Sequence, residues 1–398
     1  MPRNLSLDDL LNAVKPGQAS TLTSVTKLEP AAGPHASIAP ARYTSGNKGV
    51  YAYETRFMDG EPVRTVLIDS KSSAANRLET ALDDAINDGH ELLGRMPRVE
   101  VTYDSDGVKR TFSDLTLPHR LFDAHIRAGT VDGTPTTQVK DYVAARDSTP
   151  SDAWDLFKVS PITLAFGGWD SHRRARQGRY PSLLVGEIIG VLADQDSAVP
   201  QEARHSGARV DPVAAGLNID KKELSRMVDM QKGELGKSNV DKAKSGKLKP
   251  SELGFGSIPP ATESLAGIAT RSIIRSHVLS FALLRRLRFG KGPDGDESVR
   301  ALLAALLLNA LARSDSELYL RANAHLVEAE QPSVKVDLRG GEQVMVAPLT
   351  IADMDSVLQQ AYDHASATAG VDWSGQVLRV TGNPVVVTSA DDSAADKP

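Results

Sequence analysis

Two apolar segments flank the most basic loop of the chain, and they limit where that loop can lie. SPITLAF (160–166) precedes it and SLLVGEIIGVLA (182–193) follows it. The loop between them, GGWDSHRRARQGRYP (167–181, the arginine loop), holds four arginines within seven positions and no acid among them. The flanking segments predict two buried strands, so the arginines emerge together at one edge of a core. This density of guanidinium groups predicts an anionic ligand there.

The composition excludes several classes of protein. The 398 residues, 40% of them apolar, suffice for a sizeable core, and the absence of cysteine excludes disulfides, thiolate metal sites and cysteine nucleophiles. The N-terminus lacks the apolar core of a signal peptide, and the most apolar segment, 301–312, is too short to span a bilayer. We therefore expect a cytoplasmic protein without membrane contact.

Charge is distributed unevenly along the chain. The net charge is −5, which disfavours a uniformly basic nucleic-acid binder. However, residues 221–249 hold nine basic and four acidic side chains, and residues 271–288 hold five arginines and no acid. This distribution predicts a polyanion track on an otherwise acidic body.

The alternation of strand and helix patterns predicts an α+β protein with insertions. Residues 1–45 are predicted to form an extended arm, 203–260 a basic, partly mobile insertion poor in large apolar residues, and 386–398 a disordered tail. Further strands are predicted at 49–57, 63–71, 318–329 and 333–339, a hairpin at 98–115, and helices at 72–93, 118–129, 271–288, 298–313 and 351–367.

The chain carries no recognisable enzyme signature. His119, Asp123 and His125 would share one face only on a strand, and their segment reads as a helix, so no metal site is predicted. The chain lacks a Walker A loop, a dinucleotide fingerprint and a nucleophile elbow. We expect no catalytic residue, no metal and no cofactor.

Three places are candidates for nucleic-acid contact. In the arginine loop, Trp169 offers a ring for base stacking beside four forked phosphate donors. The predicted helix 271–288 would place Arg271 and Arg275 on one cationic face. The start of the predicted helix 72–93 would present Asn76 and Arg77 beside free backbone N–H groups. For Arg77, a surface ion pair with Asp83 or Asp84 is the alternative.

Several segments resemble a known family. RTVLIDSKSSAANRLETAL (64–82), LPHRLFDAHIR (117–127) and the stretch 160–190, with Phe166, Gly167, Trp169, Asp170 and Ser171, resemble motifs of the backbone subunits of type I-G (formerly I-U) CRISPR interference complexes. These are Csb-type members of the Cas-seven group in the RAMP superfamily. ARHSGARVDP (203–212) and PSELGFGSIPP (250–260) resemble two later motifs of the same family.

The resemblance implies a fold and a role. It implies an RRM-like (ferredoxin-like) palm from residues 46–202 and 261–385, with large insertions and a thumb at 203–260. It also implies a non-catalytic subunit that binds CRISPR RNA, stacks head to tail on copies of itself, joins other Cascade subunits and meets target DNA through guide pairing. The RNA-contacting residues expected from the motifs and the basic clusters are Asn76, Arg77, His119, Arg120, Trp169, Arg173, Arg174, Arg176, Arg179, Arg204, Arg209, Arg271 and Arg275.

Two other functions stay open at this point. One is a metal-dependent ribonuclease of the RAMP superfamily, for which Asp211 and Asp220 in the insertion are the candidate acids. The other is an RNA-binding scaffold protein outside CRISPR systems.

Overall fold

The chain divides into two compact units, residues 1–201 with 267–382 and residues 202–266 with 383–398. A computed structural model describes residues 2–46, 48–105, 108–195, 204–205, 219–231, 233–255, 264–265, 267–320 and 324–386. The first unit holds the large sheet and the arginine loop.

The strands range from two to 12 residues in length. They are β1 (Ala19–Pro30), β2 (Tyr43–Ser45), β3 (Lys48–Val50), β4 (Tyr53–Met58), β5 (Glu61–Asp69), β6 (Arg98–Ser105), β7 (Val108–Ser113), β8 (Thr130–Val131), β9 (Thr134–Pro135), β10 (Gly168–Trp169), β11 (Arg179–Tyr180), β12 (Leu184–Leu192), β13 (Arg204–His205), β14 (Ser264–Leu265), β15 (Thr270–Ser280), β16 (Leu326–Glu328), β17 (Ser333–Leu338), β18 (Gln343–Val346) and β19 (Val377–Thr381).

The helices range from single turns to the 25-residue α11. They are α1 (Leu7–Ala13), α2 (Lys71–Asn87), α3 (Glu91–Gly94), α4 (Ala124–Arg127), α5 (Lys140–Asp147), α6 (Trp154–Val159), α7 (Pro161–Phe166), α8 (Lys221–Met230), α9 (Lys237–Lys244), α10 (Phe281–Leu284), α11 (Gly292–Ser316) and α12 (Ile351–Ala369), with 3-10 turns at Arg120–Phe122, Thr136–Gln138 and Pro250–Leu253.

An eight-stranded antiparallel sheet organises the first unit. Its order is β18-β17-β1-β15-β12-β5-β4, and β16 pairs with the end of β1. A second sheet, β7-β6-β19-β8-β9, is mixed, because β19 runs parallel to β6. The α+β class predicted from the sequence is therefore confirmed.

The two faces of the large sheet differ in polarity. Helices α2 and α11 pack over one face, where Leu22 and Leu279 are buried, and the middle of α11 is buried on all sides. The other face carries a register row of Lys335, Thr23 and Val278, all partly exposed. The hydrophobic core thus lies on the helix-covered side.

The structure corrects three predicted elements. Residues 271–280 form a strand, because burial alternates with period two along this β-branched segment. SPITLAF forms a helix, because the Ser160 hydroxyl accepts from the N–H of Thr163 and Pro161 occupies the first turn. The first 45 residues do not form an arm, since they supply α1 and β1, a central strand of the sheet.

The sequence predicted Arg275 on the surface of a helix, but this residue belongs to β15 and its side chain is buried. Its side chain is 1% exposed, and Nη2 lies 3.4 Å from Asp315 Oδ2 and 3.1 Å from Glu328 Oε1. Burial raises the pKa of Asp315 to about 6. Burial, reinforced by the neighbouring Arg275 and Arg77, lowers the pKa of His277 to about 3, so this imidazole is neutral.

The second unit has a small core of its own. Helices α8 and α9 pack around Leu224, Val228, Ala243 and Leu248. The sequence-based expectation that the insertion lacks the apolar residues to order itself is therefore wrong for residues 219–231 and 233–253. A few apolar positions at helical spacing suffice to pair two short helices.

Gly186 has no room for a side chain. A Cβ at this position would lie 2.1 Å from Cδ2 of His277 on the neighbouring strand. We expect Gly186→Ala to lower the free energy of unfolding by about 1–3 kcal/mol, because the buried imidazole must shift. Gly94→Ala, whose Cβ meets no atom within 4 Å, is the control. Equal urea denaturation midpoints for the two variants would contradict this packing.

Candidate nucleic-acid interface

A buried ion pair anchors the arginine loop to α5. Asp170 is 1% exposed, and its carboxylate accepts from Arg146 Nε at 2.6 Å and from Arg146 Nη2 at 3.0 Å. The Asp170 N–H also donates to the Gly178 carbonyl oxygen across the loop at 2.9 Å. These contacts fix both sides of the loop against the helix end.

A second ion pair holds the start of the loop. Arg120 donates to both carboxylate oxygens of Glu79 on α2 and, through Nη1, to the Gly167 carbonyl oxygen at 3.0 Å. Gly167 has φ of 86°, and a Cβ there would lie 2.7 Å from the Tyr180 carbonyl oxygen. Glycine is therefore required where the loop leaves α7.

The helix that precedes the loop is set by a buried polar network. The Ser160 hydroxyl, which caps α7, donates to Asp114 Oδ2 at 2.5 Å and lies 2.7 Å from the Thr163 hydroxyl. Thr163 Oγ1 in turn accepts from the Leu121 N–H. Burial raises the pKa of Asp114 to about 7. This network ties α7 to β7 and to the Arg120 turn.

The loop presents an exposed cation–aromatic pair. Trp169 on β10 faces Arg179 on β11, and the Arg179 Cζ lies 5.0 Å from the centre of the indole ring. The Trp169 side chain is 52% exposed. A ring and a guanidinium in this arrangement can stack on a base and contact a phosphate.

The remaining loop arginines differ in how they are held. Arg174 is exposed and has no ion pair within the described part of the chain. Arg173 is mostly buried, with Nη2 2.6 Å from Asp147 Oδ1 and Nη1 3.1 Å from the Arg146 carbonyl oxygen. Arg176 is 75% exposed, and Nη1 lies 3.3 Å from Asp147 Oδ2. Three of the four guanidiniums thus face solvent.

The predicted helix start at 72–93 is confirmed, but Arg77 has an unforeseen partner. Arg77 Nη1 lies 2.6 Å from Asp69 Oδ2, and both side chains are largely buried. Neither Asp83 nor Asp84 pairs with it. Asn76 is exposed on the same helix. Only Asn76 of this pair is therefore accessible for a ligand.

The other predicted contact residues fall into three groups. His119 and Arg271 are exposed, whereas Arg120 and Arg275 are committed to acidic side chains inside the fold. For Arg204 the structure describes the backbone alone, in β13 paired with β14, and Arg209 lies outside the described residues. The arginine loop is therefore the best-defined cationic surface.

Sequence reasoning missed the acids that shape this surface. Glu79, Asp147 and Asp170 each bind one or more arginines, and the motif around Asp170 indicated no such role for it. Asp147 lies more than twenty positions from the arginines that it contacts, so local spacing gave no sign of the pairing.

Two absences concern the described residues alone. Among them, no group of three or more His, Cys, Asp or Glu side chains could hold a metal ion. None of their helices is long and apolar enough to cross a membrane.

The arginine loop and its anchors lie in a segment that matches a known family model. Residues 22–195, from β1 to just beyond β12, match the family described as CRISPR-associated protein GSU0053. The match covers less than half of the 398 residues, and it supports the CRISPR-associated resemblance seen in the motifs. No curated protein matches the chain.

Breaking the Arg146–Asp170 pair should release the loop. We expect Asp170→Asn to lower the free energy of unfolding by about 3–5 kcal/mol, because Arg146 is left as an uncompensated buried charge. Trypsin should also cut faster after Arg173 and Arg174. The control is Asp155→Asn, which removes an exposed pair with Lys158 and should cost less than about 1 kcal/mol. Similar losses in both variants would show that Asp170 is no anchor.

Proposed function

We propose that this chain is a non-catalytic backbone subunit that binds CRISPR RNA in a type I-G interference (Cascade) complex. The observation that carries the proposal is the arginine loop, a rigidly anchored turn with three exposed guanidiniums beside an exposed tryptophan. Forked donors of this kind suit phosphodiesters, and the loop lies within the segment that matches the CRISPR-associated family model.

The topology of the large sheet supports an RRM-like palm. The central order β17-β1-β15-β12 corresponds to the fourth, first, third and second strands of a ferredoxin-like unit. Helix α2 lies between β1 and β12 in sequence, and α11 lies between β15 and β17. Helix α2 packs against β12, α11 packs against α2, and Asp315 at the end of α11 pairs with Arg275 of β15. Strands β4, β5 and β18 extend this unit at its edges.

The sheet itself is a poor platform for bases. The four central strands, all fully described, contain no Phe, Tyr or Trp, whereas RRM domains stack bases on aromatic side chains of their sheet. The guide would therefore be held by phosphate contacts at the arginine loop, with Trp169 as the stacking surface. Contacts of this kind are independent of base sequence, as a subunit that accepts any guide requires.

The lysine-rich α8–α9 hairpin supports a thumb that reaches RNA or a neighbouring copy. Lys221, Lys222, Lys247 and Lys249 are exposed and have no ion pair to another described residue. The Lys221 side chain lies beside Gly246, so these lysines collect at one end of the hairpin. The proposed role implies three kinds of partner: further copies of this chain stacked head to tail, the other Cascade subunits, and target DNA paired with the guide.

The ribonuclease alternative has little support in the described residues. Asp220 is used as the N-cap of α8, where its carboxylate accepts from two backbone N–H groups, and Asp211 lies outside the described residues. Purified protein incubated with RNA and Mg²⁺ or Mn²⁺ should leave the RNA intact. Metal-dependent shortening would favour the ribonuclease, and co-purification of RNA of mixed length would favour a general scaffold.

The three exposed loop arginines should account for much of the RNA affinity. We expect Arg174, Arg176 and Arg179, changed together to alanine, to weaken binding of single-stranded RNA uniformly across sequences. The slope of log affinity against log salt should flatten by about 0.7 for each phosphate that the variant no longer neutralises. The control changes Arg3, Arg339 and Arg379 to alanine, which removes the same charge from other elements. An unchanged slope in the loop variant would overturn the assignment.

A further inference from the structure

One carboxylate bridges two arginines of the loop. Asp147, at the end of α5, places Oδ1 2.6 Å from Arg173 Nη2 and Oδ2 3.3 Å from Arg176 Nη1. The Arg173 and Arg176 guanidiniums hold the pKa of Asp147 below its usual range, so the carboxylate is charged. Two guanidiniums gathered on one two-oxygen anion form the geometry that also binds a phosphodiester.

The two arginines are held unequally. Arg173 is 22% exposed and is fixed by a second contact to the Arg146 carbonyl oxygen. Arg176 is 75% exposed, and the 3.3 Å contact to Asp147 is the only one found for its side chain in the described part of the chain. An exposed single contact of this length is weak, so Arg176 can be drawn away at little cost while Arg173 stays.

The backbone at Arg176 is also unusual. Its φ is 55°, in the left-handed region that a non-glycine residue rarely adopts. The turn at Ala175–Gln177 therefore sets the direction in which the side chain leaves the loop. The neighbouring Arg174 and Arg179 are also exposed, so this short segment carries three solvent-facing cationic side chains.

We propose that the Asp147 carboxylate is an internal stand-in for a phosphodiester, and that an RNA phosphate takes its place on Arg176. Arg173 stays bound to Asp147 and keeps the loop in position. In the free protein the carboxylate neutralises part of the charge of the loop, and in the complex Arg176 exchanges it for RNA. This inference rests on the proposed RNA-binding function and adds a residue that tunes affinity.

The test is the RNA affinity of Asp147→Asn, measured with a labelled homopolymeric single-stranded RNA at about 0.15 M salt. The variant should bind about twofold to fivefold more tightly, the range set by an exposed ion pair. Its salt slope should steepen by up to about 0.7, because Arg176 is free for a phosphate contact. Asp147→Glu, which keeps the carboxylate, should behave like the unaltered protein.

Two controls separate this effect from others. Asp141→Asn removes the same charge from the exposed start of α5 and should leave the affinity nearly unchanged. In the double variant Asp147→Asn with Arg176→Ala, the increase in RNA affinity should disappear, because the Arg176 side chain that would bind the phosphate is absent. An equal gain from Asp141→Asn, or a persisting gain in the double variant, would overturn the proposal.

Weaker RNA binding by Asp147→Asn, with no change in unfolding temperature, would also overturn it, because the contact between Asp147 and Arg176 would then support RNA binding instead of competing with it. The proposed function fails separately. If the triple alanine variant of Arg174, Arg176 and Arg179 binds RNA as well as the unaltered protein, RNA binding by the loop is wrong. If that variant loses affinity and Asp147→Asn gains none, only the stand-in role is wrong.

Discussion

The buried pair between Arg146 and Asp170 is the interaction on which the presentation of the arginine loop depends. Several positive charges within one short turn repel each other, and a turn of this kind would spread in water unless something fixed its base. The Asp170 carboxylate is removed from solvent and bound by two nitrogen donors, which makes the pair costly to break. The buried Arg146–Asp170 pair thus opposes the mutual repulsion of the loop arginines.

This arrangement explains why an acidic chain can present a cationic surface. Three arginines in or beside the loop are balanced locally: Arg120 by Glu79, Arg146 by Asp170 and Arg173 by Asp147. The charge left over is confined to a few side chains that point outward. A net charge of −5 and a polyanion-binding site are therefore compatible, because the acids set the shape of the site and lie behind it.

The elements that could be predicted from sequence are those whose pattern is local. Helical periodicity predicts α2 and α12, alternation of apolar residues predicts β6 and β7, and a continuous apolar run predicts β12. The prediction of a helix at β15 is wrong. The segment RSIIRSHVLS places two arginines at helical spacing, which suggests an exposed helix face, but in the strand Arg275 is buried. SPITLAF was mistaken for a strand, since its helix depends on the Ser160 cap and the Asp114 network. The pairs that shape the site join residues distant in sequence, such as Glu79 with Arg120, and no single segment encodes them.

The insertion leaves and re-enters the large sheet between two adjacent strands. Leu192 of β12 is opposite Thr270 of β15, and the N–H of Ala193 donates to the Ala269 carbonyl oxygen. Residues 194–268 therefore form one long connection between two antiparallel neighbouring strands, β12 and β15. Lengthening, shortening or exchanging such a connection changes the closure entropy only slowly with its length. Related chains can accordingly vary in this region while the strand register, and with it the arginine loop on the far side of β12 in sequence, stays the same.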